Sequence, residues 1–397
     1  MHEIPKGWEV KKLGEIFNIV TGKTPSKKIR EYFNGNIPFV KPSDLDLSDY
    51  IENSEDTLTQ DGFKKAPFIP KNSVLVSCIG NLGKKAILKQ NGSCNQQINA
   101  ILPNSNFDMK FVFYYIDIIK PWMEQNASAT TISILNKSRF EQMPFIYPNL
   151  VEQKAIVDKL DDSFAKIENA ITNLINAKEN LKLYKQSVLK SAFNGDLLPN
   201  TSPTHWEVKK LGEICEITMG QSPKGENVFE NSQSLNGLEF HQGKICFTDK
   251  FISKSKFITS DIRKIAEVGS ILLCVRAPVG VINLTERKIA IGRGLCALKA
   301  NNQNNNFLYY YLLGLKQYFE SKATGSTFSA ITLNIVKNCE IPLPPLSEQN
   351  LIVAEIDRRF AIVDKTLNLI DKSIQNAKNL KQSILKKAFS GELRSEI

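Results

Sequence analysis

The 397-residue sequence lacks the features that would place it in a membrane or equip it for metal or disulfide chemistry. Its longest apolar runs, such as Ile271–Val275, are far shorter than the ~18 residues of a membrane-spanning helix. No secretion signal opens the chain. Only three histidines are present, and the seven cysteines form no Cys-x-x-Cys pair. We therefore expect no metal site, no disulfide framework and no cofactor, and we expect a cytoplasmic protein.

Positive charge is what the sequence has in excess. Fifty-one Lys and Arg residues against 41 Asp and Glu residues give a net charge of +10, and the pI is near 9.1. This balance favours a polyanionic partner, most economically nucleic acid. A composition of 42% apolar and 23% charged residues is typical of folded proteins and excludes a disordered chain.

The sequence contains an internal duplication. The nine residues Trp8–Ile16 recur unchanged as Trp206–Ile214. Near the other end of each unit, the segment 190–197 is echoed by 387–393. An internal repeat of this length is too long for a solenoid and predicts two domain-sized halves.

A helical pattern fills the last part of each half, 149–196 and 345–397. Apolar residues recur there at alternating steps of four and three, which is typical of coiled coils. A helix of about 40 residues spans roughly 60 Å and cannot bury such a seam alone, so we expect the two helices to pack together as an antiparallel coiled coil. Gly195 and Gly391 are expected to end them, and Ser347 to cap the second.

The other two segments, 1–148 and 197–344, are predicted to be globular heads. Short apolar runs separated by Gly, Pro and Asn indicate strands and turns, and each head has one aromatic-rich stretch of helical length, 111–123 or 307–319. We therefore expect an α+β fold with two heads in tandem, related by a pseudo-two-fold axis and separated by the helices. Charged residues give the heads +3 and +5, so most of the positive charge lies there.

Two glycine motifs are similar to nucleotide-binding loops, but neither has the required context. The segment 21–24 lacks the upstream glycine of a P-loop, and Gly292–Ala297 precedes a strand-like pattern where a dinucleotide site needs a helix. We interpret the first as a basic turn or a plain solvated loop, and the second as a structural turn.

Polar residues of different kinds occupy one shared location of the repeat: Gln96 and Gln97 in the first copy, Arg293 in the second. Glutamine suits N6 and N7 of adenine, whereas arginine suits O6 and N7 of guanine. Two heads that read different sequences would show this difference, although drift of surface residues explains any single position equally well. Basic clusters add candidates for phosphate contacts, although a solvated face is the commoner role of any one pair. The candidate DNA-binding residues are Lys23, Lys27, Lys28, Arg30, Lys41, Lys84, Lys85, Gln96, Gln97, Lys224, Lys254, Lys256, Arg276, Arg287 and Arg293.

Catalytic patterns are missing from the sequence. It contains no Asn-Pro-Pro-Tyr tetrapeptide for amino-group methylation and no HExxH zinc motif, and Glu286–Lys288 is a poor match to the Glu-x-Lys triplet of metal-dependent nucleases. The sequence therefore favours binding over catalysis.

Several of these segments together resemble one family. Gly7–Ile16 with the following Gly-x-x-Pro-Ser turn, and Asn36–Leu45, resemble the start of a target recognition domain. Pro342–Gln349 before a long helix resembles the opening of the spacer in the specificity (S) subunit of type I restriction-modification enzymes. The resemblance covers both halves. It is looser at 147–153, and the loop 226–246 does not match its counterpart in the first head.

This resemblance implies a protein without activity of its own. Each head would read one half of a split DNA sequence, and the helices would fix the spacing and dock methyltransferase (M) subunits. Endonuclease/translocase (R) subunits would complete the assembly. Two alternatives stay open: a stand-alone DNA-modifying enzyme and a coiled-coil scaffold with protein-binding heads.

Overall fold

A computed structural model describes residues 4–128, 132–199, 203–230, 237–325 and 329–393. Contacts within the chain divide it into two compact units, Met1–Leu174 with Lys372–Ile397 and Ile175–Asp371. Each unit combines one predicted head with part of each of the two long helices.

The described residues of the first head form ten short strands and four α-helices. The strands are β1 (Glu9–Lys12), β2 (Ile19–Thr21), β3 (Phe33–Val40), β4 (Tyr50–Ile51), β5 (Thr57–Leu58), β6 (Val74–Ser77), β7 (Lys85–Leu88), β8 (Ser93–Cys94), β9 (Ile98–Ile101) and β10 (Pro144–Tyr147). The helices are α1 (Leu13–Ile16), α2 (Gln60–Phe63), α3 (Met109–Asn126) and α4 (Lys137–Glu141), and the long helix α5 (Leu150–Phe193) follows.

The second head follows a similar order, with eleven strands and without a counterpart of α2 among its described residues. Its strands are β11 (Glu207–Lys210), β12 (Cys215–Met219), β13 (Val228–Glu230), β14 (Leu238–His241), β15 (Phe257–Thr259), β16 (Ile265–Ala266), β17 (Ile271–Cys274), β18 (Ile282–Leu284), β19 (Ile289–Ile291), β20 (Leu295–Ala300) and β21 (Glu340–Leu343). Its helices are α6 (Leu211–Ile214), α7 (Asn305–Gly314), α8 (Lys316–Lys322) and α9 (Leu333–Lys337), followed by the long helix α10 (Leu346–Phe389). The aromatic stretch 307–319 is thus broken into two helices at Leu315, whereas its counterpart α3 is continuous.

The sheets of the two heads share a core order, β2-β9-β6-β7 in the first and β12-β20-β17-β18 in the second, but differ in their additional strands. The first head has sheets β2-β9-β6-β7-β4, β5-β3-β8 and β1-β10, and the second has β12-β20-β17-β18, β13-β15-β14-β19-β16 and β11-β21. The central strands β6 and β17 are buried along their whole length, because both faces of each sheet are covered. The predicted α+β class is confirmed.

The two long helices pack against each other within each unit. In the second unit, Lys178 of α5 contacts Asp371 of α10 at 2.7 Å, and Lys185 contacts Asp364 at 2.5 Å. Seven residues forward along α5 correspond to seven residues back along α10, so the helices run antiparallel with a heptad step. In the first unit, Lys381 of α10 pairs in the same way with α5. The predicted antiparallel pairing is confirmed.

The carboxyl end of each long helix packs into a head. Phe389 of α10 contacts Phe111 and Tyr115 in the first head, with ring centroids 4.9 and 5.6 Å apart. Phe193 of α5 makes the equivalent contacts in the second head. This packing explains the echo between residues 190–197 and 387–393, since both segments fill the same place in a duplicated core.

The ends of the long helices agree only in part with the sequence analysis. Gly195 and Gly391 lie just beyond α5 and α10 with φ of +80° and +78°, a conformation that glycine adopts without strain. Ser347 is not a cap, because α10 already begins at Leu346. At the start of α5, the side chain of Asn149 accepts a hydrogen bond from the Glu152 N–H.

A repeated Glu-Gln pair joins the start of each long helix to its head. Glu348 accepts a hydrogen bond from the Trp206 indole at 3.0 Å. The buried Gln349 accepts from the Asn304 N–H at 3.0 Å and donates to the Pro344 carbonyl at 2.8 Å. Trp8, Glu152 and Gln153 make the same bonds in the first head, so tertiary contacts account for these parts of the repeat.

Replacing Gln349 by Ala is expected to lower the free energy of unfolding by about 2 kcal/mol or more, because a buried N–H and a buried carbonyl lose their partners. Gln375→Ala, at an exposed position of the same helix, is the control and should change it by less than about 0.5 kcal/mol. Urea denaturation measures both. Equal stability of the two variants would contradict this assignment.

Candidate nucleic-acid interface

A glycine turn in each head packs against the chain that leads into the neighbouring strand. The Gly22 N–H donates to the Ile98 carbonyl at 3.0 Å, and the Gly220 N–H donates to the Leu295 carbonyl at 2.9 Å. A Cβ atom at either glycine would lie 2.1 Å from a backbone carbonyl oxygen, that of Asn95 or Gly292. Only glycine permits this approach, so both turns are structural, and neither is framed as a nucleotide-binding loop.

The same backbone bonds bring Gln96 and Arg293 to equivalent positions. The Cys78 N–H donates to the Gln97 carbonyl at 2.8 Å, and the Val275 N–H donates to the Gly294 carbonyl at 3.0 Å. The residue before each acceptor is therefore Gln96 in one head and Arg293 in the other, and both are exposed.

Two further pairs of positions correspond by the same reasoning. The Asn95 N–H donates to the carbonyl of the residue before Lys41, and the Gly292 N–H donates to the carbonyl of the residue before Gln242. Ile79 follows Cys78, and Arg276 follows Val275. Cys78 and Val275 are the two residues whose N–H groups donate to Gln97 and Gly294. The heads thus share a backbone framework but carry Lys41, Ile79 and Gln96 in one copy and Gln242, Arg276 and Arg293 in the other.

In the second head these positions line a cleft of about 240 Å³. Its cationic side chains are Lys244, Arg276 and Arg293, and its lining contains no carboxylate from the described part of the chain. We call it the basic cleft. Its lining residues are Gln242, Gly243, Lys244, Cys274, Arg276, Ala277, Pro278, Arg293 and Gly294.

Most of the other predicted basic residues lie on the surface of the heads. Four of them follow β2 in one exposed turn: Lys23, Lys27, Lys28 and Arg30. Lys254 is exposed as well, and Lys84 is half-buried. The amide oxygen of the half-buried Gln97 accepts a hydrogen bond from the Asn95 side chain at 3.0 Å, whereas that of Gln96 accepts from the Thr24 hydroxyl at 2.7 Å.

Three predicted lysines form ion pairs on the surface. Lys256 contacts Glu230 at 2.6 Å, Lys224 contacts Glu226 at 3.7 Å, and Lys41 contacts Asp56. The exposed pairs of Lys256 and Lys224 contribute at most about 1 kcal/mol each, so a phosphate can compete for these two lysines.

Lys85 is buried in its head, and the half-buried Arg287 is held by partners of its own head. Lys85 is only 5% exposed and pairs with Asp117; burial lowers the pKa of its ammonium, and Asp117 partly opposes this shift. Arg287 donates to both carboxylate oxygens of Glu239, at 2.5 and 2.6 Å, and also to two backbone carbonyls. Each side chain therefore stabilises the fold of its own head.

The Glu239 carboxylate is the acceptor at the centre of this internal network. Burial alone would raise its pKa, but hydrogen bonds from Arg287, the Ser255 N–H and His241 lower it to about 2. Burial lowers the pKa of His241, against the opposing effect of Glu239. These shifts describe a structural network on β14, to which Glu239 and His241 belong.

The sequence analysis missed Lys244 and Gln242. Both lie in or next to the loop 226–246, of which residues 231–236 lie outside the described part of the chain. Neither residue stands in a basic cluster or repeats a residue of the first head, so no local signal marks them.

Comparison with known proteins decides the family. The model described as "Type I restriction modification DNA specificity domain" matches this chain twice, at residues 5–177 and 203–377. The chain belongs to this family. Among its curated relatives, the type I restriction enzyme MjaIX specificity subunit of Methanocaldococcus jannaschii is 26% identical over 419 residues, which covers 99% of this chain and 95% of the relative.

Solved structures of specificity subunits share the fold over nearly the whole chain. One of them matches with a TM-score of 0.82 and 28% identity, and the match covers 98% of this chain and 99% of the solved chain. It comes from a study of the structural basis of complex assembly and conformational transition of the type I R-M system. The HsdS subunit from Thermoanaerobacter tengcongensis has a TM-score of 0.65 and 26% identity, with 99% of both chains covered.

The chain is thus a type I specificity subunit, a non-catalytic DNA-recognition subunit with two DNA specificity domains in tandem. Membership of the family implies DNA and M subunits as partners. Within the described ranges, no helix combines the length and hydrophobicity that a bilayer crossing requires. The same residues contain no cluster of His, Cys, Asp and Glu suited to a metal ion.

Proposed function

We propose that the two heads read two separate segments of one DNA sequence. The observation that carries this proposal is a shared backbone framework with different exposed side chains at equivalent positions, Gln96 and Arg293. A duplicated fold provides two similar grips on the duplex, and the differing side chains provide two different readouts of base edges.

Phosphate contacts are proposed for basic residues of each head that are exposed or, like Lys41 and Lys84, half-buried. Such contacts fix the register of a protein on the duplex without reading sequence. Lys85 and Arg287 are left out, because each is paired with a carboxylate of its own head, Asp117 or Glu239. The proposed phosphate-contacting residues are Lys23, Lys27, Lys28, Arg30, Lys41, Lys84, Lys224, Lys254 and Lys256.

The two long helices are proposed to set the distance between the half-sites and to dock the M subunits. Each helix contributes to both units, and at 1.5 Å per residue a 44-residue helix spans roughly 66 Å. Both helices carry exposed apolar side chains that a docked partner could cover, among them Leu183 in α5 and Leu369 in α10, which are 61% and 54% exposed.

We also propose R subunits as further partners and the cytoplasm as the site of action. R subunits follow from the family, whose complexes cleave DNA as well as methylate it. The seven cysteines are free thiols, which agrees with a reducing compartment that contains DNA.

The test is an exchange of residues 1–148 for the corresponding head of a family member with a different recognition sequence. The complex with M subunits should then methylate a hybrid site in which one half-site is new and the other is unchanged. The reciprocal exchange of residues 197–344 is the control and should replace the other half-site. If one exchange changed both half-sites, or neither, the proposal would be refuted.

A further inference from the structure

The basic cleft of the second head holds three cations that have no partner carboxylate among the residues the structure describes. Lys244, Arg276 and Arg293 line it, and none of the ion pairs found among the described residues of this head includes them. Their hydrogen-bond donors are therefore not committed to acidic side chains, in contrast to those of Arg287 in the same head.

The backbone on both sides of the cleft is held in place by close packing. A Cβ atom at Gly294 would lie 2.4 Å from the Gln242 carbonyl oxygen, and one at Gly292 would lie 2.3 Å from the Gln242 amide oxygen. The Gln242 backbone thus requires glycine at position 294, next to Arg293, whereas Gly292 faces the end of the Gln242 side chain. Arg276 lies in a bridge to Ala330, so both arginines start from a fixed backbone, which reduces the entropy lost on binding.

The comparison of the two heads argues against a general phosphate clamp. Phosphates carry no sequence information, so a phosphate clamp would serve both heads alike. Yet Arg276 corresponds to Ile79, and Arg293 to Gln96, on an otherwise shared framework. Side chains that differ between the heads while the backbone is kept are what contacts to base edges require.

We infer that Arg276 and Arg293, with Lys244 beside them, read a guanine in the DNA segment bound by the second head. The guanidinium group donates two hydrogen bonds to O6 and N7 of guanine, the commonest specific contact in the major groove. This inference rests on the proposed function, since it requires that the second head binds one half-site. Gln96, at the position of Arg293, gives the first head a different preference.

The experiment uses the complex with M subunits and the recognition sequence determined from the methylated genome. Methylation rates are measured on the cognate duplex and on duplexes in which 7-deazaguanine, which lacks the N7 acceptor, replaces each guanine of the second half-site in turn. The chains compared are wild type, Arg276→Gln, Arg293→Gln and, as a control, Arg263→Gln, an exposed arginine held by Asp261 outside the cleft.

We expect 7-deazaguanine at one position to slow wild-type methylation about tenfold or more. Arg293→Gln should cause a similar loss on the cognate duplex, relax the choice of base at that position and show no further loss with 7-deazaguanine. Arg263→Gln should stay within about twofold of wild type, and the first half-site should stay unchanged in all variants.

Three results would overturn the inference. The second half-site could lack a G·C pair, 7-deazaguanine could leave the methylation rate unchanged, or the arginine variants could lose methylation uniformly over all sequences, which would indicate a phosphate contact. In each case a two-part recognition sequence would still support the proposed function. If wild type methylated no two-part sequence at all, the proposed function itself would fail.

Discussion

Lengthening both long helices by seven residues is expected to lengthen the DNA between the two half-sites by about three base pairs and to leave both half-sites unchanged. Seven residues add about 10.5 Å to a helix, and base pairs are spaced 3.4 Å apart. A whole heptad keeps the apolar seam in phase, so the antiparallel pairing survives. Insertion after Leu174 in α5 and after Ile374 in α10 places the new turns between the ion pairs Glu168–Lys381 and Lys178–Asp371.

Sequencing of the methylated genome measures the new spacing. Methylation of the original site should fall at least about 100-fold, because a displaced head loses several base contacts at about 1–3 kcal/mol each. Insertion into α5 alone is the control and should disrupt the pairing without defining a new spacing. An altered half-site, or an unchanged spacing in the doubly extended chain, would refute the role of the helices as a spacer.

Replacing Gly220 by Ala is expected to destabilise the second unit by about 3 kcal/mol and to weaken recognition of the second half-site. The new methyl group would lie 2.1 Å from the Gly292 carbonyl oxygen, so the turn or the segment that carries Arg293 must move. Gly225 is the matched control, because a Cβ atom there meets nothing within 4 Å.

Hydrogen exchange with mass spectrometry locates the effect. In Gly220→Ala, peptides of the second head should exchange faster, while those of the first head keep their wild-type rates. Gly225→Ala should leave both heads unchanged. Similar exchange in the two variants would show that the close approach at Gly220 does not matter for the fold.

The sequence predicted the architecture well because repetition is visible without any knowledge of contacts. Identical residues such as Trp8 and Trp206 mark the duplication, and the structure shows that both indoles bond to a glutamate at the start of a long helix. The heptad seam predicted the pairing of the helices because side-chain spacing alone specifies it. The cap at Ser347 failed because a helix boundary depends on backbone bonds that residue type describes only weakly.

The candidate site was harder to predict, since burial and pairing arise from residues far apart in the chain. Arg287 looks like a free surface cation in sequence, but Glu239, 48 residues earlier, holds it. Val40 and His241 share no chemistry, yet they occupy equivalent places. Each lies in a strand that pairs in parallel with the strand just before Gln96 or Arg293. Backbone pairing defines the equivalence of Val40 and His241, so the residue types around them could not show it.

Sequencing of the host's methylated genome, with and without this gene, tests the central claim most directly. The account predicts a two-part methylated sequence, with a fixed gap between its specific segments, that disappears when the gene is deleted. A continuous recognition sequence that depended on this gene, or a methylation pattern unaffected by its loss, would contradict the reading of DNA by two heads.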